Sequence, residues 1–166
     1  MEIRKATAAD AANILEYCKI IGSESDNLTF GPEGVSMTVE QEQEYLRSLE
    51  DSTTQLYLIA LEDHTVVGTA SFSCYTKPRL AHRGEISISV RKSMWGNHIG
   101  TRLMEEILRF AKQSAHAEIL SLEVRSDNTR AISLYQKFGF ETVGTFHGFM
   151  KIHGAYVDCN IMSKRL

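Results

Sequence analysis

Three cysteines, two prolines and one tryptophan are spread over 166 residues, and no apolar run approaches the roughly 18 residues that a membrane span needs. Cys18, Cys74 and Cys159 are odd in number, far apart and free of any Cys-x-x-Cys pair, which excludes a disulfide framework and reads as buried thiols in a reducing cytosol. None of the six histidines stands at a zinc-site spacing from a cysteine or carboxylate, so no metal is expected. The opening residues, Met1 to Lys5, lack the apolar stretch of a signal peptide, and a soluble, cytoplasmic chain is expected. Apolar residues make up 43% and charged residues 23%, an average globular balance that excludes disorder, collagen and coiled coil. No repeat, low-complexity tract or linker interrupts the chain, and its length fits one domain spanning residues 1–166.

A net charge of −3 argues against a general nucleic-acid binder. The charge is unevenly distributed. Residues 1–60 hold eleven acidic side chains against four basic ones, a balance of −7, and residues 61–166 hold fourteen basic against ten acidic, a balance of +4. One half can face a cation and the other an anion.

Periodicity predicts the order β α α β β β α β α β β, a mixed α/β or α+β domain. A short strand over Met1–Ala6 leads through a capping box, Thr7-Ala-Ala-Asp10, into a helix to about Ile21. Gly22 to Met37 reads as a long loop of the kind that serves as a lid or binding segment. Thr38-Val-Glu-Gln41 caps a second helix to Leu49. Gln55–Glu62 and Thr65–Tyr75 form a hairpin across Asp63-His64, and Gly84–Val90 sends Ile86, Ile88 and Val90 to one face. A strongly apolar helix runs from Thr101 to about Ala115, and Ile119–Val124 is the next strand. Asn128 caps a helix through Phe138, and Glu141–Phe149 and Ala155–Ser163 close the chain as strands around Gly154.

Two segments carry the chemistry. In Val90-Arg-Lys-Ser-Met-Trp-Gly-Asn-His-Ile-Gly-Thr101 a strand enters a glycine-containing turn that opens a helix, where unpaired backbone N–H groups can cradle a pyrophosphate. It is neither a Walker loop nor a dinucleotide fingerprint. The second segment is Leu120-Ser-Leu-Glu-Val-Arg-Ser-Asp-Asn-Thr-Arg-Ala-Ile-Ser-Leu-Tyr-Gln-Lys-Phe-Gly-Phe140. Together they resemble the GCN5-related N-acetyltransferase family, with Asn128, Ala131, Leu134, Tyr135, Gly139 and Phe140 in register with that family's pattern. The first segment departs from it: Trp95 replaces the usual Arg or Gln, and His98 replaces the first glycine, while Gly100 keeps the last.

The resemblance implies acetyl-CoA as cosubstrate. It would be bound by Ile88, Ser89 and Val90 along the pantetheine arm, by Trp95, Gly96, Asn97, His98, Ile99, Gly100 and Thr101 at the phosphates, and by Asn128. Tyr135 is implied as the general acid that protonates the departing CoA thiolate. Glu123 matches the glutamate of ribosomal-protein alanine N-acetyltransferases and Glu85 that of phosphinothricin-type acetyltransferases. Either qualifies as the general base, with Glu85 preferred. Glu24, Asp26, Glu33, Glu40, Glu42 and Glu44 suggest a cationic amine acceptor, of small-molecule or peptide origin, whereas an amino-acid acceptor would want Arg79 or Arg83. The resulting expectation is direct acetyl transfer to a primary amine, with a homodimer compatible and no membrane partner. The alternative is a non-catalytic acyl-CoA sensor of the same fold.

Overall fold

A computed structural model describes residues 1–166. Its centre is one seven-stranded sheet in the order β1-β2-β3-β4-β5-β7-β6. The strands are β1 (Glu2–Lys5), β2 (Gln55–Glu62), β3 (Thr65–Cys74), β4 (Arg83–Val90), β5 (Ile119–Arg125), β6 (Glu141–Ile152) and β7 (Ala155–Arg165). The helices are α1 (Ala11–Glu24), α2 (Val39–Leu49), α3 (Ile99–Gln113) and α4 (Thr129–Lys137). This is the expected mixed α/β order. Only β4 and β5 are parallel; every other neighbouring pair is antiparallel.

The hairpin turns follow from backbone chemistry. Asp63 and His64 both take positive φ, 46° and 63°, and so do His153 and Gly154, at 49° and 83°. Two successive positive-φ residues match the right-handed twist of the strands they join. The Thr38–Gln41 capping box opens α2 as expected. Around Thr7 the box is also present, but Asp10 receives two hydrogen bonds from Arg4, at 2.7 and 2.8 Å, and one from the Thr7 backbone N–H at 2.8 Å. The residues between form a 3-10 turn before α1 begins at Ala11.

The larger boundary differences from the periodicity fall in α1, α3, β6 and β7. α1 continues through Gly22 to Glu24, because Gly22 packs directly on the Gly31 carbonyl, where no side chain fits. α3 starts at Ile99 rather than Thr101, because the buried Ile99 side chain belongs to the core. β6 and β7 run on to Ile152 and Arg165.

Two apolar layers enclose the sheet. Ile99, Leu103, Met104, Ile107 and Ala111 of α3 pack on Leu58, Ala70, Phe72, Ile86, Leu120 and Leu122. Ile14, Tyr17, Cys18 and Ile21 of α1, with Leu46 of α2, pack on Ile59, Leu61 and Val66. Each fully buried Leu, Ile or Met contributes about 1.5–3 kcal/mol. No helix is long and apolar enough to cross a membrane.

Candidate active site

β4 and β5 pair only from Arg83–Ile119 to Glu85–Ser121. Beyond that point they part, while β4 stays paired to β3 through Val90. The backbone groups of β4 that face β5 past Glu85 therefore have no strand partner. Buried amides and carbonyls must find partners, so this edge is ready to receive an extended ligand. A cleft of about 960 Å³ opens in the gap.

At the Val90 end lies the loop into α3. Gly96 has φ 86° and His98, the N-cap of α3, has φ 58° and ψ 14°. His98 thus sits in the left-handed region, where a residue other than glycine is uncommon but histidine is among the more tolerant. Its side chain makes no capping hydrogen bond, so the first turn of α3 presents free N–H groups to the cleft. Trp95 donates its indole N–H to the Val90 carbonyl at 2.9 Å, and its ring carries the Arg130 guanidinium at 4.4 Å. Trp95 therefore packs on its own loop and on α4. Glu24, at the end of α1, accepts hydrogen bonds from the Lys92 N–H at 2.7 Å and from Arg91 at 3.3 Å. It is a brace for this loop.

The sheet face towards α1 is lined with oxygen. Alternation sends Thr69, Ser71 and Ser73 of β3 and Glu85, Ser87 and Ser89 of β4 to that side, and β5 adds Ser121 and Glu123. Ser89 is hydrogen-bonded to Tyr17 at 2.9 Å and to Thr69 at 3.0 Å, and Ser71 to Ser87 at 2.8 Å. Glu85 accepts a hydrogen bond from Tyr75, which raises the phenol's pKa. Burial raises the pKa of Glu123, and the nearby charge of Glu85 adds to the effect.

Tyr135 faces the same cleft from α4. It is 6% exposed and packs edge-on to Phe140 with ring centroids 6.1 Å apart. Burial alone pushes its pKa up to about 12, and no group of the protein hydrogen-bonds its hydroxyl. The phenol, protonated at neutral pH in any setting, stays so well into alkaline pH here, as a proton donor requires.

Of the residues expected at the site, Tyr135, Glu85, Glu123, Ile88, Ser89, Val90, Trp95, Gly96, His98, Ile99, Gly100, Thr101 and Asn128 all line the cleft. The Asn128 side-chain oxygen also accepts from Ala131 N–H at 3.2 Å, so it caps α4 as expected. Asn97 is off the cleft wall, with its amide donating to the Met94 carbonyl at 3.1 Å. Of the acidic surplus of residues 1–60 only Glu24 lines the cleft, and its carboxylate is taken by Lys92 and Arg91. Glu33 caps the Gly31 N–H at 2.8 Å, Glu40 and Glu44 are exposed, Glu42 is buried against α1, and Asp26 faces His153 at 3.7 Å. His147 lies outside the cleft, paired with Asp158 at 2.8 Å. Phe149 and Met150 form a wall that the sequence reading missed, because a bulge in β6 between Phe146 and Met150 turns them in. Tyr17, Tyr57, Tyr75, Ser71 and Ser73 were missed too. For the two serines the signal was the period-2 polar pattern Thr69-x-Ser71-x-Ser73 inside an apolar strand.

A mixed sheet that splays at its one parallel junction, with a helix N-terminus at the mouth of the gap, defines the acyl-CoA N-acyltransferase fold. The family model described as the acetyltransferase (GNAT) family matches residues 26–140, and the chain belongs to that family. Over 108 residues the chain is 32% identical to the L-amino acid N-acetyltransferase AaaT of Escherichia coli (strain K12), a match covering 64% of this chain and 66% of that protein. It is 33% identical over 99 residues to the N-alpha-acetyltransferase RimI of Mycobacterium tuberculosis, covering 60% of each. The matched stretches thus span less than two thirds of these relatives' lengths. A solved acetyltransferase of the GNAT family from Streptococcus pneumoniae superposes with a TM-score of 0.94 at 27% identity, over 99% of this chain and 98% of that one.

Proposed function

We propose that residues 1–166 act as one catalytic unit, an N-acetyltransferase that moves an acetyl group from acetyl-CoA directly to a primary amine. The observation that carries this is the parting of β4 from β5 beyond Glu85–Ser121, with Tyr135, Glu85 and Glu123 on the walls of the gap. The residues present fit acetyl-CoA. The open edge of β4 at Ile88, Ser89 and Val90 suits the amide-bearing pantetheine arm, and the free N–H groups from Gly96 to Thr101 suit the pyrophosphate. When bound, acetyl-CoA supplies an acetyl group activated as a thioester.

The protein's own groups do the rest. Glu123 takes a proton from the acceptor ammonium, which at neutral pH is not nucleophilic. Its raised proton affinity and its freedom from hydrogen bonds favour it over Glu85, whose carboxylate is occupied by Tyr75. Glu85 adds negative charge that attracts the ammonium. Unpaired β4 amides polarise the carbonyl as the N–C bond forms. Tyr135 gives its proton to the sulfur as the C–S bond breaks. The cationic character of the acceptor then resides in its reacting ammonium group, since Glu24, the one acid of the first sixty residues on the cleft wall, is bound to Lys92 and Arg91. A chain with three free thiols suits a cytosolic setting. A homodimer is part of the same reading, with Val143 and Phe146 exposed on the edge strand β6.

The test is calorimetric titration of acetyl-CoA into the purified protein, with CoA release followed against a panel of amines and peptides. Binding and release on one acceptor class support the enzyme. Binding without release on any acceptor returns the reading to a sensor, and absence of binding removes it.

A further inference from the structure

Among the arginines that line the cleft, one has no partner in the protein. Arg125 has a carboxylate partner, Asp127, and Arg130 has the Trp95 ring as its partner; Arg91, in the loop into α3, is paired with Glu24. Arg83 has none, although it lines the cleft and its Nε–H is buried with no hydrogen-bond acceptor. Arg79, the other cation the sequence offers nearby, is exposed and outside the cleft. A buried donor on a permanently charged group is costly to leave unmet, and such a group in a native protein calls for a partner.

The surroundings say what that partner is. Arg83 is the first residue of β4 and shares a face with Glu85, Ser87 and Ser89. The nearest carboxylate on that face, Glu85, is taken by Tyr75, whose phenol also feels the charge of Arg83. The guanidinium is therefore left free for an anion. Glu123 lies four residues along β5 from Ile119, the register partner of Arg83. At about 3.3 Å per residue the two backbone positions are roughly 13 Å apart. Two long side chains between them leave room for a short molecule with a positive end and a negative end. A planar guanidinium fork matches a carboxylate in two parallel hydrogen bonds.

We propose that Arg83 selects the acceptor by receiving its carboxylate while the reacting amine faces Glu85 and Glu123, so that the substrate is an amino carboxylate rather than a polyamine or an amino sugar. The proposal rests on the acetyl-transfer reading above. A free amino acid and the carboxylate of a peptide share this chemistry.

The experiment compares acceptors in matched pairs on the full chain: L-methionine with L-methioninamide, 6-aminohexanoate with 6-aminohexanamide, and a tripeptide with its C-terminal amide, with spermidine as the polyamine. Wild type is expected to prefer a carboxylate over its amide by roughly 10–100-fold in kcat/KM, mostly through KM. Whichever pair shows the preference names the source. Arg83→Gln brings that ratio close to one, and Arg83→Lys, which keeps the charge without the fork, retains part of it. Calorimetry of the preferred carboxylate against CoA-loaded protein shows the same loss without any turnover. Acetyl-CoA binding by the variants verifies their fold. The proposal is overturned if wild type treats acid and amide alike or prefers spermidine, or if Arg83→Gln leaves the ratio intact. Turnover without carboxylate preference overturns only the role of Arg83, whereas absence of acetyl-CoA binding overturns the acetyl-transfer reading with it.

Discussion

Replacing Tyr135 by phenylalanine removes one oxygen from the wall of the cleft and nothing else. The ring is 6% exposed and its edge-on contact with Phe140 is kept. The hydroxyl has no hydrogen-bond partner in the protein, so its loss leaves no buried group unpaired. Stability should therefore change by less than about 1 kcal/mol, and acetyl-CoA should still bind. The rate should respond very differently. A positioned proton donor contributes roughly 10²- to 10⁴-fold, equivalent to about 2.7–5.4 kcal/mol of barrier. Burial holds the phenol protonated up to about pH 12, so the wild-type rate should show no alkaline decline from this group at ordinary assay pH. The assay is kcat from CoA release on the best acceptor, beside thermal melting and calorimetric acetyl-CoA affinity. A kcat within about threefold of wild type would refute the proton-donor role. A large loss of melting temperature would show instead that the hydroxyl is structural.

Glu123→Gln should lose most turnover at neutral pH and recover at alkaline pH, where the acceptor is already deprotonated; Glu85→Gln should lose less, and the reverse order in a pH–rate series would move the base to Glu85. Gly96→Ala meets no neighbour but forces a side chain into φ 86°, so acetyl-CoA affinity should fall about tenfold, and an unchanged titration would show that the loop does not hold the phosphates in this conformation. The hydrogen bond from Arg4, with those from Thr7, lowers the pKa of Asp10 to about 2. A carboxylate with a depressed folded pKa stabilises above its unfolded value of about 3.9, and that stability is lost as pH falls from there through about 2. Asp10→Ala should cost about 2 kcal/mol in urea unfolding at pH 7 and much less at pH 2; an equal loss at both would contradict the ion pair.

Much of this was legible in the chain. The capping boxes at Thr7 and Thr38, the hairpin at Asp63-His64 and the alternation from Ile86 to Val90 are local, set by backbone chemistry and side-chain period, and all reappear in the fold. The place of Tyr135 and Asn128 on the cleft wall was foreseeable because the second segment keeps its pattern within one strand–helix unit. Asn97 fell outside the cleft because which loop residue faces a ligand depends on φ at Gly96 and His98, and residue type does not encode it. Charge was the least legible property. Counting acids along residues 1–60 suggested an acidic pocket, yet Glu24 and Glu33 are spent on Lys92 and Gly31.

The order of strands and helices, the solvent-facing and core-facing positions and the family pattern were determined by the sequence alone, because each rests on neighbours a few residues apart. Only the tertiary structure decided that β4 leaves β5 after three residue pairs, that Phe149 and Met150 fold over the gap, and that Arg83 stands there with no counter-charge. Those features join residues tens of positions apart, and which groups find partners across such distances is settled only when the sheet has closed.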